Sequence, residues 1–456
     1  MRFNRVEREN SNETIFSLLF NLEGNQLIKL RVAENKKCLE TTNGEKFFYL
    51  ADTVWSAFTN AALEEWNDYL ELRKTQGFNV LQINILQQWD ASETELNMKP
   101  FEYKEDGSFD FSKRNEAYFE RAEKMVQMAV EKGFVPALVL LWCNYVPETW
   151  GSEISSVNNM PLDVVEDYVT YVDGKFSKYN PIYLVSGDTD FPTELTITYY
   201  SLALNTIKKL SPQCLTTLHV RGRLMEIPDE LLYSDNLDFY MFQSGHNIQF
   251  QSMSYQLAEE FSNKPVKRPS INSEPCYEQM GYSRNLYGRF TRFDVRKAAW
   301  QSLLSGAEAG ITYGAHGIWS WHKKGKGFGL VGEAFDKPFD WRDAVKFEGA
   351  WDYAFAKSLF KLFSLHDLQP LDIVLKNTEE IRVASTAGLN KIAIYMPVNT
   401  TLKLNKLLEN YEFTIIDLEQ RRFAEADVSF KDNITVIGMH NFEADVVIIG
   451  EKKLGS

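Results

Sequence analysis

Cysteine is scarce in this chain: four residues in 456, at Cys38, Cys143, Cys214 and Cys276, with no C-x-x-C pair among them. Scattered thiols exclude a disulfide framework and a zinc ribbon, and they suit the reducing conditions of a cytoplasm. Positive charge is also in deficit. Lys plus Arg number 49 against 63 Asp plus Glu, a formal net charge of -14, and no basic stripe carries interleaved aromatics. Such a surface repels phosphate backbones, so nucleic acid is not an expected partner. Long apolar runs are missing. Residues 15–20 are apolar but far too few to cross a bilayer, so no membrane is expected as a partner, and the polar residues 1–10 lack the apolar core of a secretory leader. The six histidines form no H-E-x-x-H, and there is no G-x-S-x-G elbow, internal repeat or low-complexity segment. These gaps leave zincin, serine-hydrolase and repeat architectures unsupported.

What is present is a globular composition: 44% hydrophobic and 25% charged residues. The chain exceeds one ordinary core, although barrel enzymes run long as single units. Aromatic content is 14%, with 10 Trp and 21 Tyr. That richness serves either a large core or flat platforms for the C–H faces of sugars.

Residues 1–45 read as a polar extension ending in a hairpin, because Asn43-Gly44 separates two strand-like runs. From residue 46 a rhythm begins. Apolar runs at 47–51, 78–85, 134–141, 182–185, 215–220, 239–242, 268–271 and 310–313 read as strands. Segments of helical period at 63–76, 117–132, 162–178, 196–210, 251–261, 295–305 and 343–363 lie between and after them. Eight such units across 46–368 predict a (β/α)8 barrel, with a doubly wound open sheet as the alternative. Residues 369–456 change texture. Short runs at 372–374, 381–384, 391–396, 413–417, 434–437 and 445–449 predict a small antiparallel β-sandwich that packs on the barrel and holds no catalytic residue.

Barrel enzymes place their chemistry at the carboxyl ends of the strands. The residues there are Asp52 and Trp55 after the first run, Gln88 and Trp89 after the second, and Trp142 and Asn144 after the third. The end of the fifth gives His219 with Arg221, the sixth Gln243 with His246, and the eighth Tyr313, His316 and Trp319. This rim of aromatic, amide and imidazole groups, poor in Lys and Arg, suits a neutral sugar held by stacking and directional hydrogen bonds. Asp188 follows the fourth run and Glu274 the seventh, on opposite sides of a barrel. Glycoside hydrolysis needs one carboxylic acid at the leaving oxygen and one carboxylate at the anomeric carbon. Trp66, Trp300, Trp341 and Trp351 fall in helical segments and read as packing residues. Gly327 to Gly332 fits G-x-G-x-x-G, but Lys-rich loop precedes it and a Pro-containing loop follows, so it reads as a loop over the barrel mouth and not a dinucleotide site. Asp188-x-Asp190 lacks supporting histidines for a metal. No cofactor and no metal are expected.

The run Phe48-Tyr49-Leu50-Ala51-Asp52-Thr53-Val54-Trp55 resembles the first-strand signature of the apiosidase-like glycoside hydrolases. Gly77-Phe78-Asn79-Val80-Leu81-Gln82, Ser186-Gly187-Asp188 and Asn272-Ser273-Glu274-Pro275 resemble it too, as does Gly310-Ile311-Thr312-Tyr313-Gly314 with His316, Ile318 and Trp319. The resemblance implies a barrel of the large retaining-glycosidase clan followed by an accessory sandwich, with Asp188 as acid/base and Glu274 as nucleophile. Most of that clan has Asn-Glu where this chain has Gly187-Asp188. The expected activity is therefore retaining hydrolysis of a plant or microbial glycan. Long loops at 87–114, 143–160 and 315–342, carrying Trp89, Trp150, Trp319 and Trp321, with Trp142 just before the second, predict a closed pocket and exo action on an oligosaccharide or glycoside. The alternatives are a carbohydrate-binding barrel without turnover and a metal-dependent sugar isomerase or aldolase.

Overall fold

A computed structural model describes residues 27–329 and 335–453. The apolar stretch 15–20 and residues 330–332 of the glycine-rich motif lie outside them. The chain enters through a three-stranded antiparallel sheet of Leu30–Val32, Leu39–Thr41 and Lys46–Phe47. The Asn43-Gly44 turn joins its last two strands, with the Gly44 N–H donating to the Thr41 carbonyl at 2.8 Å.

Eight parallel strands form the barrel: Tyr49–Thr53, Val80–Asn84, Val135–Trp142, Ile182–Gly187, Thr216–Thr217, Tyr240–Phe242, Ser270–Asn272 and Gly310–Tyr313. Strand eight pairs with strand one through Gly310 opposite Tyr49, and the ladder runs on to strand five in one direction and strand six in the other. The seam between five and six has no full ladder. The Asp238 N–H donates to the Thr216 carbonyl at 3.0 Å, and the Thr217 hydroxyl donates to the Phe239 carbonyl at 2.8 Å. The strand expected over 215–220 is short for this reason: threonine hydroxyls take the place of ladder bonds.

The helices follow the 3.6-residue period. Glu116–Glu131 buries Tyr118, Phe119, Ala122, Met125, Val126 and Ala129, one continuous face. Thr193 and Thr291 cap Glu194–Leu210 and Arg292–Leu303 through their hydroxyls. The helix expected over 343–363 is two, Trp341–Ala344 and Gly349–Leu362. The second begins where the Gly349 N–H donates to Glu278 Oε2 at 2.9 Å, so a carboxylate from the seventh-strand loop sits at its start. Of the helical tryptophans, Trp66, Trp300 and Trp341 are buried, but Trp351 is 38% exposed, which corrects its reading as a packing residue.

After the barrel comes a six-stranded antiparallel sheet, Gln369–Pro370, Arg382–Ser385, Lys391–Met396, Val446–Lys452, Tyr411–Asp417 and Phe423–Glu425 in spatial order, and a three-stranded one of Leu402–Leu404, Ile434–Ile437 and Val428–Lys431. The run at 372–374 is not a strand; only Val374 bridges, to Leu404. The large sheet is apolar on both faces. Ile392, Ile394 and Met396 point into the sandwich, whereas Ala393 and Tyr395 join the barrel core. Period-two alternation thus welds the β-unit to the barrel. No helix among the described residues is long and apolar enough to cross a membrane.

Candidate active site

The carboxyl ends of the strands surround a cavity of about 580 Å3. Asp188 and Glu274 both face it, together with Trp55, Gln88, Trp89, Trp142, Gln243 and Trp319.

Glu274 is the most heavily supported group. Gln243 Nε2 donates to its Oε1 at 2.9 Å, and His246 Nε2 lies 2.8 Å from the same oxygen. His219 Nε2 lies 3.2 Å from Oε2, and Ser273 Oγ, 2.8 Å from Nδ1, anchors that ring from behind. Burial pushes the Glu274 carboxyl up, but hydrogen bonds and charge from His219 and His246 outweigh it and bring the group down to about 2. Tyr277 flanks the carboxylate; its hydroxyl accepts from Trp55 Nε1 at 3.0 Å, and its ring packs on His246 with centroids 4.4 Å apart. The ring fits only because residue 314 is glycine, since a Cβ there would lie 2.0 Å from it.

Asp188 is opposite in character. Burial raises its carboxyl well above the usual carboxylate range, and the charges of Glu274, Asp90 and Asp190 raise it further against a lowering by Arg221. Its backbone is left-handed, φ +48°, and Trp150 Nε1 holds its carbonyl at 2.5 Å. Gly187 brings the turn against Trp142, where a Cβ would sit 2.2 Å from the indole. The strand therefore ends in a strained, pinned corner that delivers Asp188 to the cavity. Asp190, next along, accepts from the Trp150 N–H at 3.0 Å and pairs with Arg221 at 3.1 Å. Its carboxylate is committed to protein partners.

Five residues named from strand ends do not line the cavity. Asp52 is fully buried inside the barrel, where Arg73 Nε and the Tyr69 hydroxyl each donate to it at 2.6 Å. Tyr313 donates to Glu278 Oε2 at 2.5 Å and packs on Tyr353. Asn144 is buried in the turn Cys143–Tyr145. His316 is buried beside Arg289 at 3.4 Å, and burial and that charge lower its imidazole to about 3. His219 is fully buried and reaches Glu274 without lining the cavity. For Asp52, Tyr313, Asn144 and His316 the correction has one cause: their side chains point into the packed barrel or into its loops, a direction that strand-end position does not specify.

The cavity also contains residues outside that set. Asp90 follows Trp89 in the second-strand loop, and burial, with a smaller push from Glu274, raises its carboxyl to about 6. Trp150 stacks edge-on against Trp89 at 5.8 Å. Arg221 and Arg223 stand on the rim, so the mouth is less poor in cations than the strand ends suggest. The adjacency Trp89-Asp90 was the visible signal; Tyr277, three residues past Glu274, had none. The Glu93 N–H donates to the Gly327 carbonyl at 2.9 Å, the Gly327 N–H donates to Glu93 Oε2 at 3.0 Å, and Phe328 bridges Ser92, tying the described part of the glycine-rich motif to the second-strand loop. Among the described residues no group of three or more His, Cys, Asp or Glu side chains is arranged to hold a metal ion.

A family model for the apiosidase-like catalytic domain matches residues 33–367. The chain belongs to the apiosidase-like family of glycoside hydrolases. Solved structures agree on the fold. One described as a glycoside hydrolase superposes with a TM-score of 0.74 at 21% identity, covering 94% of this chain and 98% of its own. A glycoside hydrolase family 5 protein from Bacteroides vulgatus ATCC 8482 superposes with a TM-score of 0.75 at 20% identity, covering 93% of each chain. No curated protein matches the chain in sequence.

Proposed function

We propose that this apiosidase-like enzyme is a retaining, exo-acting glycosidase with Glu274 as nucleophile and Asp188 as acid/base. The observation that carries the reading is the placing of both carboxyls on one cavity in opposed surroundings: Glu274 is held by Gln243 and His246, whose contacts favour its ionised form, whereas burial and neighbouring carboxylates push Asp188 upward, toward its acid form. In the first step Glu274 attacks the anomeric carbon while Asp188 gives its proton to the departing oxygen. In the second, Asp188 takes a proton from water, the water oxygen attacks the anomeric carbon, and the Glu274 ester bond breaks. His219, His246 and Gln243 hold the nucleophile in line. Trp55, Trp89, Trp142 and Trp319 wall the sugar, and Gln88 supplies a polar contact. Trp142 Nε1, Trp319 Nε1 and Gln243 Oε1 have no protein partner and are available to sugar hydroxyls. Trp89 and Trp150, packed edge-on, and Trp319 wall the cavity of about 580 Å3, and this wall is what favours a chain end. The four free thiols favour a reducing, cytoplasmic setting.

The deciding experiment screens aryl glycosides and defined oligosaccharides for released sugar, with NMR of the first-formed anomer. Retention and monosaccharide release from one end are expected. Inversion would sink the double displacement, and an early ladder of internal fragments would sink exo action.

A further inference from the structure

A second cavity, of about 830 Å3, opens at the opposite end of the barrel, beside the residues that lead into its first two strands. Its wall carries Lys46, Lys357, Lys361, His366 and Arg421, against a single acid, Glu45. That is a local reversal of sign in a protein of net charge -14. Lys46 is paired with Glu40, and Arg421 reaches Asp352 at 3.3 Å. Neither Lys357 nor Lys361 has a carboxylate partner among the described residues. Lys357 Nζ donates to the Gly77 carbonyl at 2.7 Å, and burial, then the charge of Lys361, pulls its ammonium down to about 8. Trp351 and Phe355, one helical turn apart on Gly349–Leu362, give the cavity a flat apolar flank, and this explains the exposure of Trp351.

A half-buried cation without a counter-charge is unfavourable, and an anion from outside would relieve it. An aromatic face beside paired ammonium groups selects an anion that also carries a ring with an apolar face. We propose that this basal cavity binds a monosaccharide anion, a sugar carboxylate or sugar phosphate, whose ring lies on Trp351 and whose acid group meets Lys357 and Lys361. It is separate from the catalytic cavity and does not depend on how that cavity works.

Isothermal titration calorimetry of the full chain at pH 8, with glucuronate, glucose 6-phosphate, inorganic phosphate and glucose as probes, tests this. Glucuronate or glucose 6-phosphate is expected to bind, and which of the two binds tells carboxylate from phosphate. Because the anion favours the charged lysine, binding takes up protons, read as a dependence of the heat on the buffer's ionisation enthalpy. Lys361→Glu, at an exposed position, and Lys357→Met should each weaken binding by about tenfold or more. Lys357→Met should also abolish the proton uptake, and Lys361→Glu should leave hydrolysis unchanged. Equal binding of glucose, binding of phosphate as tight as that of the sugar anions, no anion binding, or binding indifferent to both substitutions would each overturn the proposal.

Discussion

Two buried charge clusters in this molecule are built on opposite plans. At the joint between barrel and β-unit, Arg296 donates to Asp445 at 2.9 Å and to Asp352 at 2.8 Å, Arg292 holds both oxygens of Asp352 at 2.7 Å, and the Tyr395 hydroxyl donates to Asp445 at 2.9 Å. None of these side-chain atoms is left without a partner. At the barrel mouth, Asp90, Asp188 and Glu274 crowd one cavity. Asp90 Oδ1, Gln243 Oε1, His246 Nδ1 and the Trp142 and Trp319 indole N–H groups are all unpartnered. Matched charge secures two units together. Mismatched charge pushes the Asp188 and Asp90 carboxyls upward and leaves polar atoms unpartnered, at a cost in stability that the rest of the fold carries.

The contrast can be tested from its largest consequence downward. Glu274→Ala should reduce hydrolysis by about four orders of magnitude or more in protein that still unfolds cooperatively. Steady-state kinetics on any active glycoside decides it, and a variant within tenfold of wild type would break the assignment. Asp188→Ala should lose about 10²- to 10⁴-fold on a poor leaving group and much less on an activated aryl glycoside, because the acid is then hardly needed. A loss equal across leaving groups would remove Asp188 from the acid role.

At the joint the effect is on folding. Arg296→Met strands the buried carboxylate of Asp445, which keeps only the Tyr395 hydroxyl, while Asp352 keeps Arg292; it should cost about 3–5 kcal/mol in urea denaturation, with kcat on the surviving folded enzyme little changed. If stability held, the joint would not be the tether its hydrogen bonds describe.

The pH profile sharpens the comparison. In the proposed mechanism Asp188 works protonated, so activity should be lost as pH rises through its raised folded value; Glu274 works ionised, and its value of about 2 puts the acid limb below the usual assay range. The charge of Asp90 raises Asp188, so Asp90→Asn should move the alkaline limb of kcat/KM to lower pH. A limb that moves upward or stays in place would disconnect Asp90 from the pair.

The last test concerns a carboxyl in neither cluster, and it leaves activity untouched. Glu308 is buried with Oε2 unpartnered, and burial pushes it from 4.5 to about 8. The native state therefore keeps a proton that the unfolded chain releases between those values, and stability falls as pH rises through that window. Glu308→Gln should flatten this fall, seen as a Tm between pH 5 and 9 that declines less than in the wild type.

Much of the fold was legible along the chain because its signals are local. Apolar runs such as Val135–Trp142, hydroxyl caps at Thr193 and Thr291, and the Asn43-Gly44 turn act over a few residues each, and eight repeats of one unit leave few architectures open. The same rhythm placed Asp188 and Glu274 at strand ends, and the cavity contains both. By itself the sequence determined the barrel, its antiparallel companion and those two positions. Only the tertiary structure decided which strand-end side chains face the cavity. Asp52 and Tyr313 turn inward to Arg73 and Glu278, partners 21 and 35 residues away, while Asp90, His246 and Tyr277 converge on Glu274 from separate loops. It alone also set the opposed directions in which the two carboxyls are shifted. A side chain's direction past the end of a strand, and the charge it meets there, depend on contacts between segments far apart in the chain, and local pattern carries no record of them.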